Sequence, residues 1–431
     1  MSRYLVKGVT AVTMNDEADI LKDADILVDG DKIAGLGASG SLAAGGAEVI
    51  DGRGKVALPG LINAHTHSAM TLLRGYADDM PLQEWLETKI WPREAFLREG
   101  DVYDGTMLAA AEMIKGGTTC LADMYFAADE IASAVMDSGL RASVCGVVLG
   151  FLPSVDEDLE KAARFIGEWQ TREDRVTGVF GPHSLYTCDE NILKRIAERA
   201  RELKAGVHTH LLETRTERDE ILKLNNKQPF DILKDTGLLG LPLLAAHSVY
   251  LTDEETDLAA VAPYTAAHTP GSNLKLASGI APVWDFMQHN IDMALGTDGA
   301  ASNNNLDMFE ETRLAALIHK IETFDATMVS AYQALHMATR GGAQAVGMAD
   351  KIGRLTPGFK ADIILVDTNK PHLTPQHSVV ANLVYSAGAA DVSDTMVDGR
   401  WLMRDRILES MNESSILKSG RETAADLIKR K

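Results

Sequence analysis

The stretch that decides the fold is Val56-Ala57-Leu58-Pro59-Gly60-Leu61-Ile62-Asn63-Ala64-His65-Thr66-His67. Its apolar run predicts a buried strand, and the two histidines fall at the carboxyl end of that strand. Because side chains at i and i+2 of a strand lie on one face, His65 and His67 point into the same space. Two neutral imidazoles that converge in this way suit a zinc-type ion. A lone His-x-His pair is weak evidence in a chain with 12 histidines, so the hypothesis depends on further ligand-type residues at strand ends.

Strand-like runs alternate with helical stretches through the middle of the chain, a pattern typical of a parallel α/β fold. Eight such strands predict a (β/α)8 barrel of the TIM type, in which active-site residues gather at the carboxyl ends of the strands. A doubly wound sheet is the competing architecture, but it does not explain why polar residues from so many strands would converge. The predicted strands run to His67, Asp123, Val148, His183, His210, His247, His268 and Asp298.

Both ends of the chain are rich in short strands and turns. Residues 26–34 carry a hairpin pattern around a central turn, and Thr395 to Leu402 carry a similar one. We therefore predict a small β-sandwich domain assembled from residues 1–57 and 353–431. The residues between these two segments, 58–352, are predicted to form the metal-dependent catalytic barrel.

The last segment of the chain, residues 407–431, predicts an amphipathic helix. No residue pattern assigns chemistry to it. It is expected to pack on the barrel exterior or on a second subunit of a homo-oligomer.

The composition restricts the kinds of partner that the protein binds. The chain has 431 residues, a net charge of −20 and 45% hydrophobic residues. General binding to nucleic acid or to an anionic membrane is not expected, because both need a basic surface. Cys120, Cys145 and Cys188 form no Cys-x-x-Cys pair and lie in or beside apolar runs, so we expect core thiols. With no signal-peptide pattern and no apolar run of membrane-spanning length, the expected location is cytoplasmic.

Four residues at strand ends are the predicted metal ligands: His65, His67, His210 and Asp298. Three imidazoles and one carboxylate, completed by water, form a donor set for a catalytic zinc-type ion. Taken singly, each residue is equally consistent with a hydrogen-bonded core histidine or a helix-capping aspartate. The fourth strand, residues 175–181, has no lysine that could bridge two ions as a carbamate. We therefore predict one divalent metal ion, with zinc as the expected ion.

Two further residues are predicted to take part in catalysis beside Asp298. Glu213 follows His210 closely enough to reach water at the metal without being a ligand, and it is the candidate general acid/base. The alternative is a surface glutamate at the start of the next helix, where the helix dipole favours it. His247 ends the sixth strand and is predicted to hold the attacking oxygen or the tetrahedral centre, with direct metal ligation as the alternative.

Together these motifs resemble the amidohydrolase superfamily over nearly the whole chain. Within it they look most like the 5′-methylthioadenosine/S-adenosylhomocysteine deaminases. The resemblance is specific because several separate motifs carry it. They are Leu58 to His67, His210-Leu211-Leu212-Glu213-Thr214, Ala246-His247-Ser248, Gly296 to Asn304, and Gly358-Phe359-Lys360-Ala361-Asp362.

The resemblance implies roles for residues that the spacing alone does not assign. It implies substrate contacts for Glu94 and His183, with the Glu94 carboxylate on both ribose hydroxyls, and it places Glu213 at the purine and the catalytic water. Trp85 is expected to wall the 5′ side of the substrate, and Arg141 to face that end of the pocket. Core packing is the alternative for Trp85, and a surface ion pair is the alternative for Arg141.

The implied activity is zinc-dependent hydrolytic deamination of 5′-modified adenosines to the inosine analogue and ammonia. Some members of the family carry an arginine after the third strand that suits a substrate carboxylate, whereas residues 146–155 here have no basic residue. Methylthioadenosine is therefore expected to bind better than S-adenosylhomocysteine. One alternative is a deaminase or chlorohydrolase of another heterocycle, such as guanine, a pterin or an s-triazine. The other is a non-catalytic scaffold, against which the complete ligand set argues.

Overall fold

The fold was analysed in a computed structural model, which describes residues 3–172 and 174–431. Its first five strands lie outside the barrel. The long antiparallel pair β1 and β2 continues into β3 through the turn at Gly30 and Asp31. The bounds of these strands are β1 Arg3–Val12, β2 Ile20–Asp29, β3 Lys32–Ala38, β4 Glu48–Asp51 and β5 Lys55–Pro59.

Eight parallel strands follow one another in a single sheet in chain order, as the alternation of strands and helices predicts. Their side chains are almost all buried, which is expected of parallel strands enclosed by helices. The prediction of a (β/α)8 barrel is confirmed. The barrel strands are β6 Leu61–Thr66, β7 Thr118–Asp123, β8 Arg141–Val148, β9 Val176–Pro182, β10 Val207–Leu211, β11 Leu243–His247, β12 Tyr264–His268 and β13 Asp292–Leu295.

The seam between β6 and the end of β13 is joined by side chains and by one close approach of the backbone. The Asn63 amide donates to the Thr297 hydroxyl at 2.7 Å and accepts from the Thr297 N–H at 3.0 Å. The Asp298 N–H donates to the His65 carbonyl at 2.9 Å. A Cβ at Gly296 would lie 2.7 Å from the backbone nitrogen of His65, so only glycine allows this contact. The seam therefore brings Asp298 beside the first histidine pair.

The small β-domain is one mixed sheet of nine strands drawn from both chain ends. Strand β5 lies between β1 and the C-terminal strand β14, which ties the two ends together. The prediction of a small β-domain built from both ends is confirmed, and its strands form one continuous sheet where a β-sandwich was predicted. Its limits remain a proposal, and the first predicted limit, at residue 57, falls inside β5. The C-terminal strands are β14 Ile363–Asp367, β15 Val392–Val397, β16 Arg400–Arg404 and β17 Ile407–Leu408.

Helices cover the outside of the barrel. The C-terminal helix begins at Glu413 rather than near residue 407, because Ile407–Leu408 pairs as β17 and Asn412 caps the helix. Two residues of the helix Asp101–Lys115 contact it: Lys115 binds Glu413, and Asp104 binds Thr423. The terminal helix therefore packs on the barrel. The helices are α1 Leu82–Trp85, α2 Trp91–Glu94, α3 Asp101–Lys115, α4 Ala128–Ser138, α5 Val155–Arg172, α6 Glu190–Leu203, α7 Arg215–Asn225, α8 Pro229–Thr236, α9 Asp253–Ala260, α10 Pro270–Lys275, α11 Val283–Gln288, α12 Met308–Thr323, α13 Ala331–His336, α14 Gly342–Ala345, α15 Val379–Tyr385 and α16 Glu413–Lys429.

Candidate metal centre and active site

The four predicted ligands come together at the carboxyl end of the barrel. Nε2 of His67 lies 3.3 Å from Nε2 of His210 and 3.2 Å from Oδ1 of Asp298. Nε2 of His65 lies 3.4 Å from the same Asp298 oxygen. Burial disfavours the Asp298 carboxylate, but the adjacent imidazoles of His65 and His67 outweigh burial and hold its pKa well below the ordinary range. The four side chains therefore present a compact set of nitrogen and oxygen donors to one point.

This donor set fits a single zinc ion. Ligand atoms about 3.3 Å apart suit a tetrahedral ion with bonds of roughly 2.0–2.1 Å. The fully buried Nε2 of His65 has no hydrogen-bond partner in the described structure, as expected of a nitrogen that serves as a ligand. A ring nitrogen of His247 lies within 4.8 Å of ring nitrogens of His65 and His210, so His247 borders the same centre.

Backbone carbonyls orient two of the histidines. Nδ1 of His210 donates to the carbonyl of His183 at 2.8 Å, and Nδ1 of His67 donates to the carbonyl of Met124. Because a carbonyl can only accept a hydrogen bond, each contact fixes the proton on Nδ1 and leaves Nε2 free to bind a metal. The two imidazoles are thus prepared as ligands by the loops after neighbouring strands.

The second oxygen of Asp298 is held by two serine hydroxyls. Ser272 and Ser302 donate to Oδ2 at 2.6 and 2.8 Å. Asp298 itself has a backbone φ of 60°, a left-handed conformation that is costly for a non-glycine residue. These contacts turn Oδ1 toward the histidines, since Oδ2 is already engaged.

Glu213 lies beside this centre without being one of its close ligands. Its Oε1 accepts a hydrogen bond from the Ser278 hydroxyl at 2.8 Å, and its Oε2 lies 3.7 Å from Nε2 of His247. Burial raises the pKa of the Glu213 carboxyl. A carboxyl with a raised pKa next to a metal centre can take up and return a proton near neutral pH.

His247 faces the same space from the end of β11. Its Nδ1 lies 2.9 Å from the side-chain oxygens of both Asn273 and Thr269, which sets the orientation of the ring. Burial opposes a charge on this imidazole, but the carboxylates of Glu213 and Asp298 outweigh burial and raise its pKa. His247 can therefore present a proton on Nε2 to a negatively charged oxygen.

A cavity of about 670 Å³ opens above these residues, a size that suits a drug-sized ligand. Trp85, Glu94 and His183 line it, and their contacts with a substrate stay a prediction. Burial raises the pKa of the Glu94 carboxyl, which also bonds the Tyr125 hydroxyl. Burial lowers the pKa of His183 to about 3, so its ring is neutral and available for hydrogen bonding. The indole N–H of Trp85 donates to the Ala77 carbonyl at 3.0 Å, which fixes this wall.

The predicted contact between Arg141 and the substrate is wrong. Arg141 is the first residue of β8, so it lies at the amino end of the barrel, opposite the cavity. Its fully buried guanidinium binds Asp362 at 3.0 Å and Asp398 at 2.7 Å. Asp362 directly precedes β14 and Asp398 directly follows β15 of the small sheet. The alternative of an ion pair is correct in kind, but the pair is buried and joins the barrel to the small domain.

Sequence reasoning missed two residues that hold Glu213. One is Ser278, which lies in the loop after α10, where the sequence has no periodic pattern. The other is Glu217, whose carboxylate accepts from the N–H groups of Leu212 and Glu213 at 3.0 and 2.7 Å. The pattern Thr214-x-x-Glu217 is a signal for Glu217, because this spacing is typical of a helix start. For Ser278 the sequence offers no such signal.

The fold and the site together define a metal-dependent hydrolase. The profile of the amidohydrolase family matches residues 56–402, which is most of the chain. The chain belongs to the amidohydrolase family. Its metal centre is accordingly a site for one divalent ion, and zinc fits its donors.

Curated relatives cover the whole length of the chain or most of it. A 5-methylthioadenosine/S-adenosylhomocysteine deaminase of Syntrophomonas wolfei is 48% identical over 88% of this chain and 89% of its own length. One of the same name from Pelotomaculum thermopropionicum is 44% identical over the full length of both chains. A 5′-deoxyadenosine deaminase of Methanosarcina mazei is 43% identical over 100% of this chain and 99% of its own.

Solved structures of similar fold include enzymes for different rings. An adenosine deaminase from Xanthomonas campestris with bound zinc superposes with a TM-score of 0.95 at 35% identity, covering 100% of this chain and 99% of its own. An atrazine chlorohydrolase from Arthrobacter aurescens complexed with zinc gives a TM-score of 0.91 at 26% identity, covering 98% of this chain and 100% of its own.

Among the described residues of our chain, none of the helices combines the length and apolarity needed to span a membrane.

Proposed function

We propose that the protein deaminates 5′-modified adenosines by hydrolysis, giving the inosine analogue and ammonia. The observation that carries the proposal is the position of Glu213, whose carboxyl lies between Ser278 and His247 beside the metal centre, at the base of a nucleoside-sized cavity. The names of the curated relatives support the adenosine ring as the substrate. Glu94 supports a nucleoside over a free base, because a carboxylate in the cavity can accept from both ribose hydroxyls.

The chain supplies the proton transfers through Glu213. A zinc ion bound at the centre would lower the pKa of water there toward neutrality. Glu213 takes one proton from the attacking water and delivers it to N1 of the adenine ring. It then carries the second proton from the new C6 hydroxyl to the amino group, and the C6–N bond breaks to release ammonia. The raised pKa of Glu213 suits both directions of transfer.

His247 and Asp298 hold the attacking oxygen from the side opposite to the adenine ring of the substrate. The carboxylates of Glu213 and Asp298 raise the pKa of His247, which favours an N–H that stabilises negative charge on that oxygen. Asn273 and Thr269 keep the His247 ring in place during the reaction, since both contact its Nδ1.

The far end of the cavity favours a neutral 5′ substituent. Phe126, Val147 and Leu149 line this side, next to Tyr125 and Glu94. Among the described residues that line the cavity, the lysine and the arginine, Lys275 and Arg215, already contact other protein groups. The Arg215 guanidinium lies 5.5 Å from the Tyr250 ring, and Lys275 binds Asp78 at 2.6 Å. We therefore propose 5′-methylthioadenosine as the better substrate and S-adenosylhomocysteine as the poorer one.

For location and assembly we propose what the sequence predicts. The protein is a cytoplasmic enzyme whose partner is a small nucleoside and which can form homo-oligomers.

The decisive experiment is a substrate panel on one zinc-loaded preparation. Ammonia release is measured with methylthioadenosine, S-adenosylhomocysteine, 5′-deoxyadenosine, adenosine, guanine and a pterin, and chloride release with a chloro-s-triazine. Glu213→Gln is the control and should keep its zinc while kcat falls by about 10²–10⁴-fold or more. Turnover of guanine or the triazine in preference to every adenosine would overturn the proposal, as would a fully active Glu213→Gln variant. A clear preference for S-adenosylhomocysteine would contradict the proposed preference of the cavity for a neutral 5′ substituent. The groups to examine next would then be Lys161 and Arg164, which line the adjoining groove.

A further inference from the structure

His65 differs from the other two histidine ligands in what lies behind it. His67 and His210 each donate from Nδ1 to a backbone carbonyl. Nδ1 of His65 instead lies 2.9 Å from Nε2 of another histidine, His208. His65 is 0% exposed and His208 is 1% exposed, so bulk water does not satisfy either ring. Because an imidazole nitrogen can either donate or accept, this contact does not by itself fix the proton on His65.

The second nitrogen of His208 leads to a thiol. Nδ1 of His208 lies 3.4 Å from Sγ of Cys145, which is also fully buried. His65, His208 and Cys145 stand on β6, β10 and β8, so the three groups cross the interior of the barrel beneath the metal centre. A Cβ at Gly181 on β9 would lie 2.8 Å from Cβ of Cys145, so the glycine leaves the space that this thiol occupies.

Counting protons gives the chain of hydrogen bonds one direction. A neutral imidazole carries a single N–H. If Nε2 of His65 is a ligand, its proton is on Nδ1 and must be donated to Nε2 of His208. The single proton of His208 is then on Nδ1 and is donated to the sulfur of Cys145. The opposite direction would place a proton on Nε2 of His65 and turn it toward the ion.

We propose that His208 and Cys145 are positioning residues for the metal centre. They form a buried hydrogen-bonded relay, in which His208 accepts a hydrogen bond from the Nδ1–H of His65. This bond keeps the proton on Nδ1 and leaves Nε2 of His65 as a metal ligand. The relay increases the affinity of the centre for its metal ion. It does not depend on which substrate the enzyme deaminates, so a failure of the proposed function would leave it unaffected.

The first experiment compares zinc binding between variants that keep or remove the acceptor. His208→Leu removes it, whereas His208→Gln retains a carbonyl oxygen that can accept from His65. A chelator with a coloured zinc complex measures zinc affinity and the rate of zinc release. We expect His208→Leu to lose about 10–100-fold in zinc affinity, and His208→Gln to recover most of that loss. The matched control is His319→Leu, which removes another buried imidazole, one that contacts His268 instead of a predicted ligand. It should bind zinc like the parent protein.

The second experiment tests the far end of the relay and remains decisive if His208→Leu does not fold. Cys145→Ser keeps an acceptor for the His208 N–H, while Cys145→Ala leaves that N–H without one. Zinc should leave the alanine variant faster than the serine variant, with both folds checked by circular dichroism of the zinc-free proteins. Nitrogen NMR of histidine-labelled zinc protein should show the His208 proton on Nδ1. Equal zinc release in both cysteine variants, or a proton on Nε2 of His208, would overturn the proposal.

Discussion

The Ser278 hydroxyl donates a hydrogen bond of 2.8 Å to Oε1 of Glu213. Both side chains are buried, and Ser278 stands between Ala277 and Gly279, whose φ angles of 53° and 138° define a tight turn. The Tyr250 hydroxyl donates to the Ser278 carbonyl at 2.6 Å and secures the turn. Since Oε1 of Glu213 is engaged in this way, Oε2 is the oxygen left to face the reaction.

Replacing this serine should therefore impair catalysis without removing the metal. We expect Ser278→Ala to lower kcat by about 10–100-fold, because a hydrogen bond to a charged group contributes roughly 1.5–3 kcal/mol. Zinc content should not change. In the Glu213→Gln background the same substitution should cost less than about threefold, because the group that Ser278 orients no longer moves a proton. An equal loss in both backgrounds would show that Ser278 acts elsewhere.

Glu217 should prove as important as Ser278, although it does not contact the metal centre. Its two oxygens accept from the N–H groups of Leu212 and Glu213, and Leu212 has a φ of 53°. A glutamine has one carbonyl oxygen, so Glu217→Gln leaves one of these buried N–H groups unpaired. We predict a fall of about tenfold or more in kcat with KM and zinc content little changed. Asp219→Asn, at an exposed position of the same helix, is the control. A rise in KM alone would contradict this prediction.

The buried contact of Arg141 with Asp362 and Asp398 predicts a loss of stability rather than of substrate affinity. Arg141→Met leaves the buried Asp362 without its cation, while Asp398 keeps Lys360 at 3.2 Å, and breaking a buried ion pair typically costs about 3–5 kcal/mol. Urea unfolding should show this loss, while KM for methylthioadenosine at a temperature where the variant is folded should not change. Arg53→Met removes an exposed partner of Asp51 and should leave the unfolding curve unchanged. A selective rise in KM for Arg141→Met would revive a role in the pocket.

The case of Arg141 shows what the sequence predicts and where strand direction matters. His65, His67, His210, Glu213 and Asp298 were identified because a barrel gathers the carboxyl ends of its strands, and the structure brings these residues together. Arg141 is the first residue of its strand, and the same rule places it at the opposite end of the barrel.

The loop residues that orient the site were beyond such a rule. Ser278 reaches Glu213 from a loop whose course depends on Ala277 and Gly279. His208 was overlooked because a buried strand residue beside His210 reads as core packing. Its contact with His65 is made across the barrel, between strands that are distant in sequence. Period-2 patterns predict which residues face the interior of a barrel, but not which of them touch.

Glu311 predicts a pH dependence of stability. It is fully buried and accepts from the Gly271 N–H and the Asn303 amide at 2.9 and 2.7 Å. Burial raises the pKa of its carboxyl from 4.5 to about 8. The folded protein therefore binds one more proton than the unfolded chain between these values, and stability is lost as the pH rises through that window.

Replacing Glu311 should reduce this pH dependence. One proton changes the free energy of unfolding by about 1.4 kcal/mol per pH unit. Between pH 5 and 8, Glu311→Gln should reduce the slope of this free energy against pH by up to that value. Urea unfolding at several pH values measures the slope. Glu310→Gln, the exposed neighbour on the same helix, should leave it unchanged. A slope in Glu311→Gln equal to that of the parent protein would mean that the carboxyl is already ionised at low pH.

Glu94 gives the sharpest test of nucleoside recognition. Its carboxyl lines the cavity and bonds the Tyr125 hydroxyl, and it is not one of the four predicted metal ligands. Glu94→Ala should lower kcat/KM for methylthioadenosine by about 10–100-fold, since a charged acceptor for the ribose hydroxyls is lost. Zinc content should not change. The control is a substrate: 2′,3′-dideoxyadenosine has neither hydroxyl, so the parent protein and Glu94→Ala should turn it over with nearly equal kcat/KM. If the variant loses as much with the dideoxy compound as with methylthioadenosine, Glu94 shapes the cavity and does not recognise ribose.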